Sequence, residues 1–190
     1  MGRLFCEEVE GGGIYARYST LNFSGNTTFG NNSAAQGIDS CQNLNGNSIF
    51  RNGGGGINVE YSTLNFNGSS TFAYNSAGGH GGGIFAWISS LSFTGSNTYR
   101  NNLAEGNGGG IFAWISSLNF TGNSVFGNNS AASGGGIEAW KSILNFTGNS
   151  TLRNNSATHY GGGIDADQET LMNFNGNSCN VLRGYIHQSE

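Results

Sequence analysis

Residues 120–140 read FTGNSVFGNNSAASGGGIEAW, and nearly the same words occur before and after them in the chain. The copies can be aligned on the isoleucine that follows the run of glycines in each. These isoleucines are Ile14, Ile38, Ile57, Ile84, Ile111, Ile137 and Ile164, in steps of 24, 19, 27, 27, 26 and 27 residues. A period between about 20 and 50 residues is typical of a solenoid, in which each repeat forms one coil.

Three short apolar words recur in each repeat: Ile-x-Ala, Leu-x-Phe, and an aromatic residue or leucine followed three positions later by asparagine. Each word alternates inward and outward positions as a β-strand does, and Gly, Asn and Ser, which favour turns, separate the words. We therefore predict an all-β fold, a right-handed single-stranded parallel β-helix (solenoid) of about seven coils with three short strands each. The short step at Ile38 is interpreted as a coil with tightened turns.

Stacked coils place equivalent side chains on one another at the spacing between paired strands. Isoleucine should lie on isoleucine and phenylalanine on phenylalanine. One column should contain only asparagines, namely Asn75, Asn102, Asn129 and Asn155. Their amides can hydrogen-bond to one another in a buried corner. The three glycines before each isoleucine predict a tight corner in which side chains would collide.

Composition limits the functions that the chain can have. The 190 residues contain 34 glycines and 9% charged residues, and the formal net charge is −4. This charge gives no basic field for nucleic acid or an anionic membrane, so neither partner is expected. No apolar run approaches the roughly 20 residues of a membrane span, and no cofactor motif is found. We interpret residues 1–190 as one β-helix domain.

The two ends depart from the repeat. Residues 1–10 are rich in charge and lack the apolar stretch of a signal peptide, and residues 180–190 diverge from the repeat. Both are predicted to cap the open coils, and without caps the chain should associate end to end. Cys6, Cys41 and Cys179 follow no motif. They are interpreted as incidental thiols, with a Cys6–Cys41 bridge left open.

Two kinds of tetrapeptide alternate along the chain. The first is GGGI, at 11–14, 54–57, 81–84, 108–111, 134–137 and 161–164. The second is FGNN at 29–32, FAYN at 72–75 and FGNN at 126–129. This alternation resembles the chlamydial polymorphic membrane proteins, which are defined by repeated GGA[ILV] and FxxN tetrapeptides. The resemblance covers residues 5–182 and implies a surface-exposed β-helix that acts in adhesion. The chain uses GGG instead of GGA and shows no C-terminal membrane barrel, so autotransport is not implied. Such β-helices also occur in polysaccharide-degrading enzymes, so fold alone does not decide function.

Outward positions beside the Ile-x-Ala strand are predicted to form an aromatic strip. Phe85 and Phe112 should share one column, and Trp87, Trp114 and Trp140 should share a second column beside it. If these rings face solvent, they offer a contact surface for sugar rings or for another protein. The alternative is that a turn, a flanking segment or a second copy covers them. Phe85, Trp87, Phe112, Trp114 and Trp140 are the candidate ligand-binding residues.

Four charged residues should cluster near the end of the same strands. Glu138 and Asp165 are predicted to be neighbours in adjacent coils, with Asp167 and Lys141 close by. Paired carboxylates can serve acid–base chemistry or hold Ca²⁺. We interpret these residues instead as solvated surface charges, because Ca²⁺ needs more oxygens and the central coils contain few other charges.

Histidine motifs give no catalytic or metal site. Gly79-His80-Gly81 superficially resembles a motif of polygalacturonase-type β-helices, but the aspartates that should accompany it are absent. His159 and His187 have no partners at ligand spacing. No catalytic residue and no metal ligand is proposed from the sequence.

A second outward face is regular and polar. Beside the Leu-x-Phe strands it is formed by Thr20/Asn22/Ser24, Thr63/Asn65/Asn67, Ser90/Ser92/Thr94, Ser117/Asn119/Thr121 and Ile143/Asn145/Thr147. Flat faces of this kind can order water, which makes ice binding one alternative. A polysaccharide lyase or hydrolase is another. The first hypothesis is a non-enzymatic, extracellular or cell-surface protein that binds a glycan or a protein through the aromatic strip.

Overall fold

The structure is a computed structural model, and it describes residues 12–34, 53–176, 179–182 and 186–188. Within these residues all regular structure is β-strand, and the strands form parallel sheets that run along one axis. The predicted parallel β-solenoid is therefore confirmed. Each complete coil adds one strand to each of four sheets, so it has the three strands predicted and a short fourth strand.

The strands follow the repeat closely. The first sheet contains Ile14–Arg17, Ile57–Glu60, Ile84–Trp87, Ile111–Trp114, Ile137–Trp140, Ile164–Ala166 and Ile186–Gln188. The second sheet contains Thr20–Phe23, Thr63–Phe66, Ser90–Phe93, Ser117–Phe120, Ile143–Phe146 and Leu171–Phe174. The third sheet contains Thr27–Gly30, Ser70–Ala73, Asn97–Arg100, Ser124–Gly127, Ser150–Arg153 and Cys179–Leu182. The fourth sheet contains the two-residue strands Ser33–Ala34, Ser76–Ala77, Leu103–Ala104, Ser130–Ala131 and Ser156–Ala157.

One part of the coil assignment is wrong. Ile14 pairs directly with Ile57 in the first sheet, and Thr20 pairs with Thr63 in the second. These pairs leave no place between the two coils for a coil built on Ile38. Residues 35–52, which include Ile38 and Cys41, lie outside the described residues, as does the predicted cap at 1–10. In the predicted C-terminal cap, Cys179–Leu182 and Ile186–Gln188 add strands to the third and first sheets.

Identical side chains stack inside the coil, as predicted. Six phenylalanines of the second sheet form one column with ring centroids 4.7–5.1 Å apart: Phe23, Phe66, Phe93, Phe120, Phe146 and Phe174. A second column crosses it edge-on; Phe66 and Phe72, for example, lie at 79° and 5.7 Å. Parallel stacking within a column and edge contacts between columns are both favourable aromatic geometries. These rings and the Ile, Ala and Leu columns form one continuous core.

The asparagine column is a buried hydrogen-bond ladder, which confirms that prediction. Each side-chain amide donates to the amide oxygen of the next asparagine over 2.9–3.0 Å and to a backbone carbonyl, such as that of Phe72 for Asn102. The column begins at Asn32, continues through the four predicted asparagines and satisfies backbone groups at this corner. Hydrogen bonds within the ladder offset the desolvation cost of these polar groups, so the corner can be buried.

A hydroxyl ladder at a second corner was missed by the sequence analysis. Its members are Ser19, Ser62, Ser89, Ser116, Ser142 and Thr170, and from Ser62 onward each hydroxyl accepts the backbone amide of its counterpart in the preceding coil over 3.0–3.2 Å. Each serine hydroxyl also donates to a backbone carbonyl within its own turn, as Ser116 does to Trp114. The residue just before it has a positive φ, near 48° even at Ile88 and Ile115. Such backbone is costly for a β-branched residue, and the ladder holds it in place.

The glycine corner has the tight geometry that the sequence predicted. Gly81 has a φ of 68°, and a Cβ atom on Gly82 would lie 2.5 Å from the carbonyl oxygens of both Gly109 and Leu103. The same contacts recur from coil to coil, so only glycine fits at these positions.

Candidate functional site

The second residue of each strand in the first sheet forms an outer row, and this row changes from aromatic to charged residues along the solenoid. Register places Phe85, Phe112, Glu138, Asp165 and His187 one above the next. Phe85 is 0% exposed and Phe112 is 4% exposed, so neither belongs to the accessible surface. The interpretation of both rings as part of a solvent-facing strip is therefore wrong. The alternative of cover by a turn is the one that the structure shows.

The turn that precedes the glycines provides this cover. Gly53 lies directly on the Phe85 ring, and the imidazole of His80 packs on Phe112 with a centroid distance of 4.7 Å. His80 Nδ1 accepts the backbone amide of Asn107 over 3.0 Å, and burial lowers the pKa of His80. His80 thus has a packing role, which accounts for the Gly79-His80-Gly81 sequence.

The three tryptophans superpose as predicted. Trp87 pairs with Trp114 and Trp114 with Trp140, and ring centroids are 5.3 and 5.0 Å apart with planes within 13°. At these distances the flat faces of neighbouring indoles contact each other. Trp87 and Trp114 therefore turn their edges to solvent, and the faces between them are not open to a ligand.

Trp140 differs from the other two because no aromatic ring follows it. Asp167 comes directly after Ala166, the partner of Ala139, so the residue beside Trp140 on that side is an aspartate and not an aromatic residue. Trp140 is 40% exposed, whereas Trp87 and Trp114 are half-buried. Trp87 at the other end of the column pairs with Glu60, and Trp140 is the most exposed ring of the three.

The interpretation of the charged cluster as solvated is wrong for Glu138 and Asp165, whereas Lys141 is exposed. Glu138 is 2% exposed and Asp165 is 8% exposed. Glu138 Oε1 accepts the Trp140 indole N–H over 3.1 Å, and the Glu138 and Asp165 carboxyl groups are in hydrogen-bonding contact. Burial, and then the neighbouring Asp165 charge, raise the pKa of Glu138 to about 9. A protonated Glu138 can donate to the Asp165 carboxylate, which explains how two carboxyl groups lie side by side.

Two more residues of this region come from parts of the sequence that gave no signal. His187 lies next to Asp165 in register, and its Nδ1 is 2.6 Å from Asp165 Oδ1. Tyr160 stacks on the His187 ring at 4.9 Å. Lys141, expected near Glu138, instead pairs with Glu169 at 2.8 Å. His187 lies in the divergent tail, where no repeat predicts its register.

A cleft of about 420 Å³ opens at this point of the surface. We call it the acidic cleft, and its polar and aromatic lining includes Glu138, Trp140, Tyr160, Asp165, Asp167 and His187. It lies beside the shortest glycine turn: five residues separate Ala131 from Ile137, whereas six separate Ala104 from Ile111 and Ala157 from Ile164. The sequence signal was available in the single 26-residue step and in the change from phenylalanine to acidic residues.

The acidic cleft suits ligand recognition better than two-carboxylate hydrolysis. Glycosidases separate their two carboxyl groups by about 5 Å or more to admit a sugar and, in inverting enzymes, a water. Glu138 and Asp165 instead contact each other. Within the part of the chain that the structure describes, no group of three His, Cys, Asp or Glu side chains is arranged to hold a metal ion, and no helix is long and apolar enough to cross a membrane.

The buried Glu138 predicts a pH dependence of stability. Below its ordinary pKa of 4.5 both the folded and unfolded states hold the proton. Between 4.5 and about 9 only the folded state holds it, so the free energy of unfolding falls as pH rises, by at most about 1.4 kcal/mol per pH unit. Glu138→Gln removes this slope. We expect the variant to match the parent near about pH 4 and to be the more stable protein near about pH 8, in urea titrations followed by circular dichroism.

The charged groups that face Glu138 are Asp165, Asp167 and, through Asp165, His187. All three remain in the variant, so the difference between parent and variant isolates Glu138. Glu169→Gln, an exposed acid paired with Lys141, is the control and should leave the slope unchanged. A parent and a Glu138→Gln variant with parallel pH profiles would contradict an internal proton on Glu138.

The predicted polar face is in register from coil to coil. Asn65 donates to Asn22 over 2.8 Å, and Asn145 donates to Asn119 over 2.7 Å. This face is therefore a second regular surface, formed by the second sheet, and it lies apart from the acidic cleft. Its role in ice binding stays a prediction.

Comparison of the chain with protein-family models, with curated proteins and with solved structures finds no match.

Proposed function

We propose that the protein is a non-enzymatic, extracellular or cell-surface β-solenoid that acts in adhesion by binding a glycan at the end of its tryptophan column. The observation that carries this proposal is the exposed indole of Trp140 at the wall of a polar cleft. Sugar rings present C–H groups to flat aromatic faces and hydroxyl groups to polar side chains, so a site for them combines both kinds of surface.

The lining of the acidic cleft matches this requirement. Next to Trp140 lie the side chains of Asn107, Ser133 and Asp167, which offer hydrogen-bond donors and acceptors to hydroxyl groups. The first sheet is held on one side by the hydroxyl ladder and on the other by the close-packed glycine corner, so its strands are rigidly placed. A site on rigid elements loses little conformational entropy on binding.

The repeat itself supports the proposed location. GGGI and FxxN words resemble those of the chlamydial polymorphic membrane proteins, and in that family the β-helix is displayed on the cell surface. By this resemblance the chain belongs to surface proteins of the same kind, and it binds a host or matrix glycan. The experiments below distinguish glycan binding from two other outcomes, namely binding of a protein surface and end-to-end association of coils.

Trp140→Ala should weaken glycan binding roughly tenfold or more, because a buried indole in contact with a ligand is a typical binding hot spot. The parent is screened on a glycan array, and affinities for the best ligand are then measured by calorimetry. Tyr74→Ala is the control, since Tyr74 is 53% exposed and lies at a different corner. Trp87→Ala should have a smaller effect, because Trp87 stands at the far end of the column.

Two results would overturn this proposal. One is a Trp140→Ala variant that is folded by circular dichroism and binds with parental affinity. The other is an array on which only proteins, and no glycans, retain the parent. Light scattering at the protein concentration of the assay separates ligand binding from end-to-end association.

An enzymatic role is the second candidate, favoured by one observation, the buried Glu138 carboxyl with its raised pKa at the wall of a cleft. A polysaccharide lyase or hydrolase would turn over some member of a panel of acidic and neutral polysaccharides. Loss of that turnover in Glu138→Gln would establish this role in place of pure binding.

A further inference from the structure

Carboxyl groups predominate in the lining of the acidic cleft beside Trp140. Three carboxyl groups line it, and its one basic side chain, His187, is already in contact with Asp165. Lys141, the nearest lysine in sequence, pairs with Glu169 and donates its backbone amide to Asp167. No cationic side chain of the described lining is therefore left to pair with an acidic sugar, whereas Asp167, and Glu138 once it gives up its proton, would attract a cationic group.

One carboxyl oxygen of Glu138 accepts no hydrogen bond from the residues that the structure describes, although the protonated carboxyl can donate one to Asp165. Glu138 is 2% exposed, and its Oε2 receives no hydrogen bond from any protein donor in the described part of the chain. A buried carboxyl oxygen in this state takes up either a proton or a positively charged donor. The site is thus more than an acidic patch, because it contains a buried acceptor that a cation would satisfy.

Two aromatic residues line the same cleft as this acceptor. Trp140 is 40% exposed and Tyr160 is 56% exposed, and both line the acidic cleft. Indole and phenol faces attract ammonium groups through their ring quadrupoles. Aromatic walls with carboxylates at the base are the surroundings in which proteins bind ammonium groups.

We propose that the acidic cleft is a subsite for the ammonium group of an amino sugar, in a glycan whose ring stacks on Trp140. This inference rests on the proposed function, since the stacked ring places the ammonium group. The ammonium would donate to the Glu138, Asp165 and Asp167 carboxyl groups and lie against Tyr160. The ligand class is therefore a glycan with free hexosamine residues, in preference to its N-acetylated or neutral counterparts.

The experiment uses three oligosaccharides with the same linkage: chitosan, chitin and cellulose oligomers, which carry an ammonium, an acetamido and a hydroxyl group. Calorimetry at low ionic strength, at a pH where the sugar amine is protonated, should show chitosan oligomers binding about tenfold more tightly than the other two. Trp140→Ala should weaken binding of all ligands. Glu138→Gln and Asp167→Asn should remove only the preference for chitosan.

A measurement of proton release on binding and a matched control variant make the test more specific. If an ammonium group replaces the proton on Glu138, the binding heat for chitosan depends on the ionisation enthalpy of the buffer, and this dependence disappears in Glu138→Gln. Glu169→Gln removes an equal charge outside the cleft, so it should retain the preference. Asp167→Asn keeps an oxygen for the Lys141 amide and the Thr170 hydroxyl, and folding is checked by circular dichroism.

The outcomes separate the two proposals. Equal affinity for the three oligomers, lost in Trp140→Ala, overturns the ammonium subsite and leaves glycan binding intact. No binding of any oligomer overturns the subsite, and failure of the wider array then overturns glycan binding too. Preference for chitosan that persists in Glu138→Gln and Asp167→Asn, or that Glu169→Gln also removes, shows attraction by net charge and overturns the subsite.

Discussion

Gly82→Ala is expected to destabilise the protein by roughly 4 kcal/mol or more, a large part of the total of about 5–15 kcal/mol that folded domains have. The added methyl group would lie 2.5 Å from two backbone oxygens, those of Gly109 and Leu103. Backbone atoms of neighbouring coils cannot turn aside as a flexible side chain can. Relief would require two coils to separate, which breaks the hydrogen bonds between their strands.

Urea unfolding followed by circular dichroism measures this effect. Gly127→Ala is the matched control, because a Cβ atom there would have its nearest neighbour at 3.5 Å, and the same column contains alanine at Ala73. The control should be neutral within about 0.5 kcal/mol. Equal destabilisation by both substitutions would show that glycine is used for flexibility and not for the closeness of the coils.

Asn102→Ala is expected to cost about 3–5 kcal/mol, because it breaks the ladder on both sides. Asn102 Oδ1 accepts from the backbone and side-chain amides of Asn75, and its own amide donates to Asn129 and to the Phe72 carbonyl. Truncation leaves buried donors and acceptors without partners, which costs more than the hydrogen bonds themselves contribute.

Asn119→Ala is the control for this prediction. Asn119 accepts a hydrogen bond from Asn145 on the half-exposed polar face, where water can replace the lost group. Its change in the free energy of unfolding should stay below about 1 kcal/mol. Amide hydrogen exchange at Asn75 and Asn129 gives a second measurement, and unchanged protection at Asn75 in Asn102→Ala would contradict the ladder as the stabilising element.

The repeat allows most of the fold to be predicted. Because each side chain in a parallel stack meets its own equivalent, a list of repeat positions is also a list of contacts, and the Phe and Asn columns follow from it directly. Ile38 was misplaced because its spacing resembles a repeat, whereas pairing requires that a whole coil fits between its neighbours. Ile14 pairs directly with Ile57. Which strands pair depends on the path of the chain in three dimensions, and residue spacing alone does not show that path.

The candidate site was predictable only in part. The register of Trp87, Trp114 and Trp140 followed from the repeat, but the loss of their flat faces to each other follows from distances near 5 Å. Burial of Glu138 depends on how the glycine turn folds over the outer row, and that turn contains no repeated apolar residue. His187 enters through the one part of the described chain that does not repeat.

The short turn between Ala131 and Ile137 suggests how such molecules diversify. The turn that is one residue shorter borders the acidic cleft at Ser133, while the strands on either side of the turn keep their pairing. A solenoid can therefore gain or lose a pocket by a one-codon deletion or insertion, without any redesign of its interior. Each corner can therefore change its length independently of the others, so binding specificity can change rapidly while the scaffold stays constant.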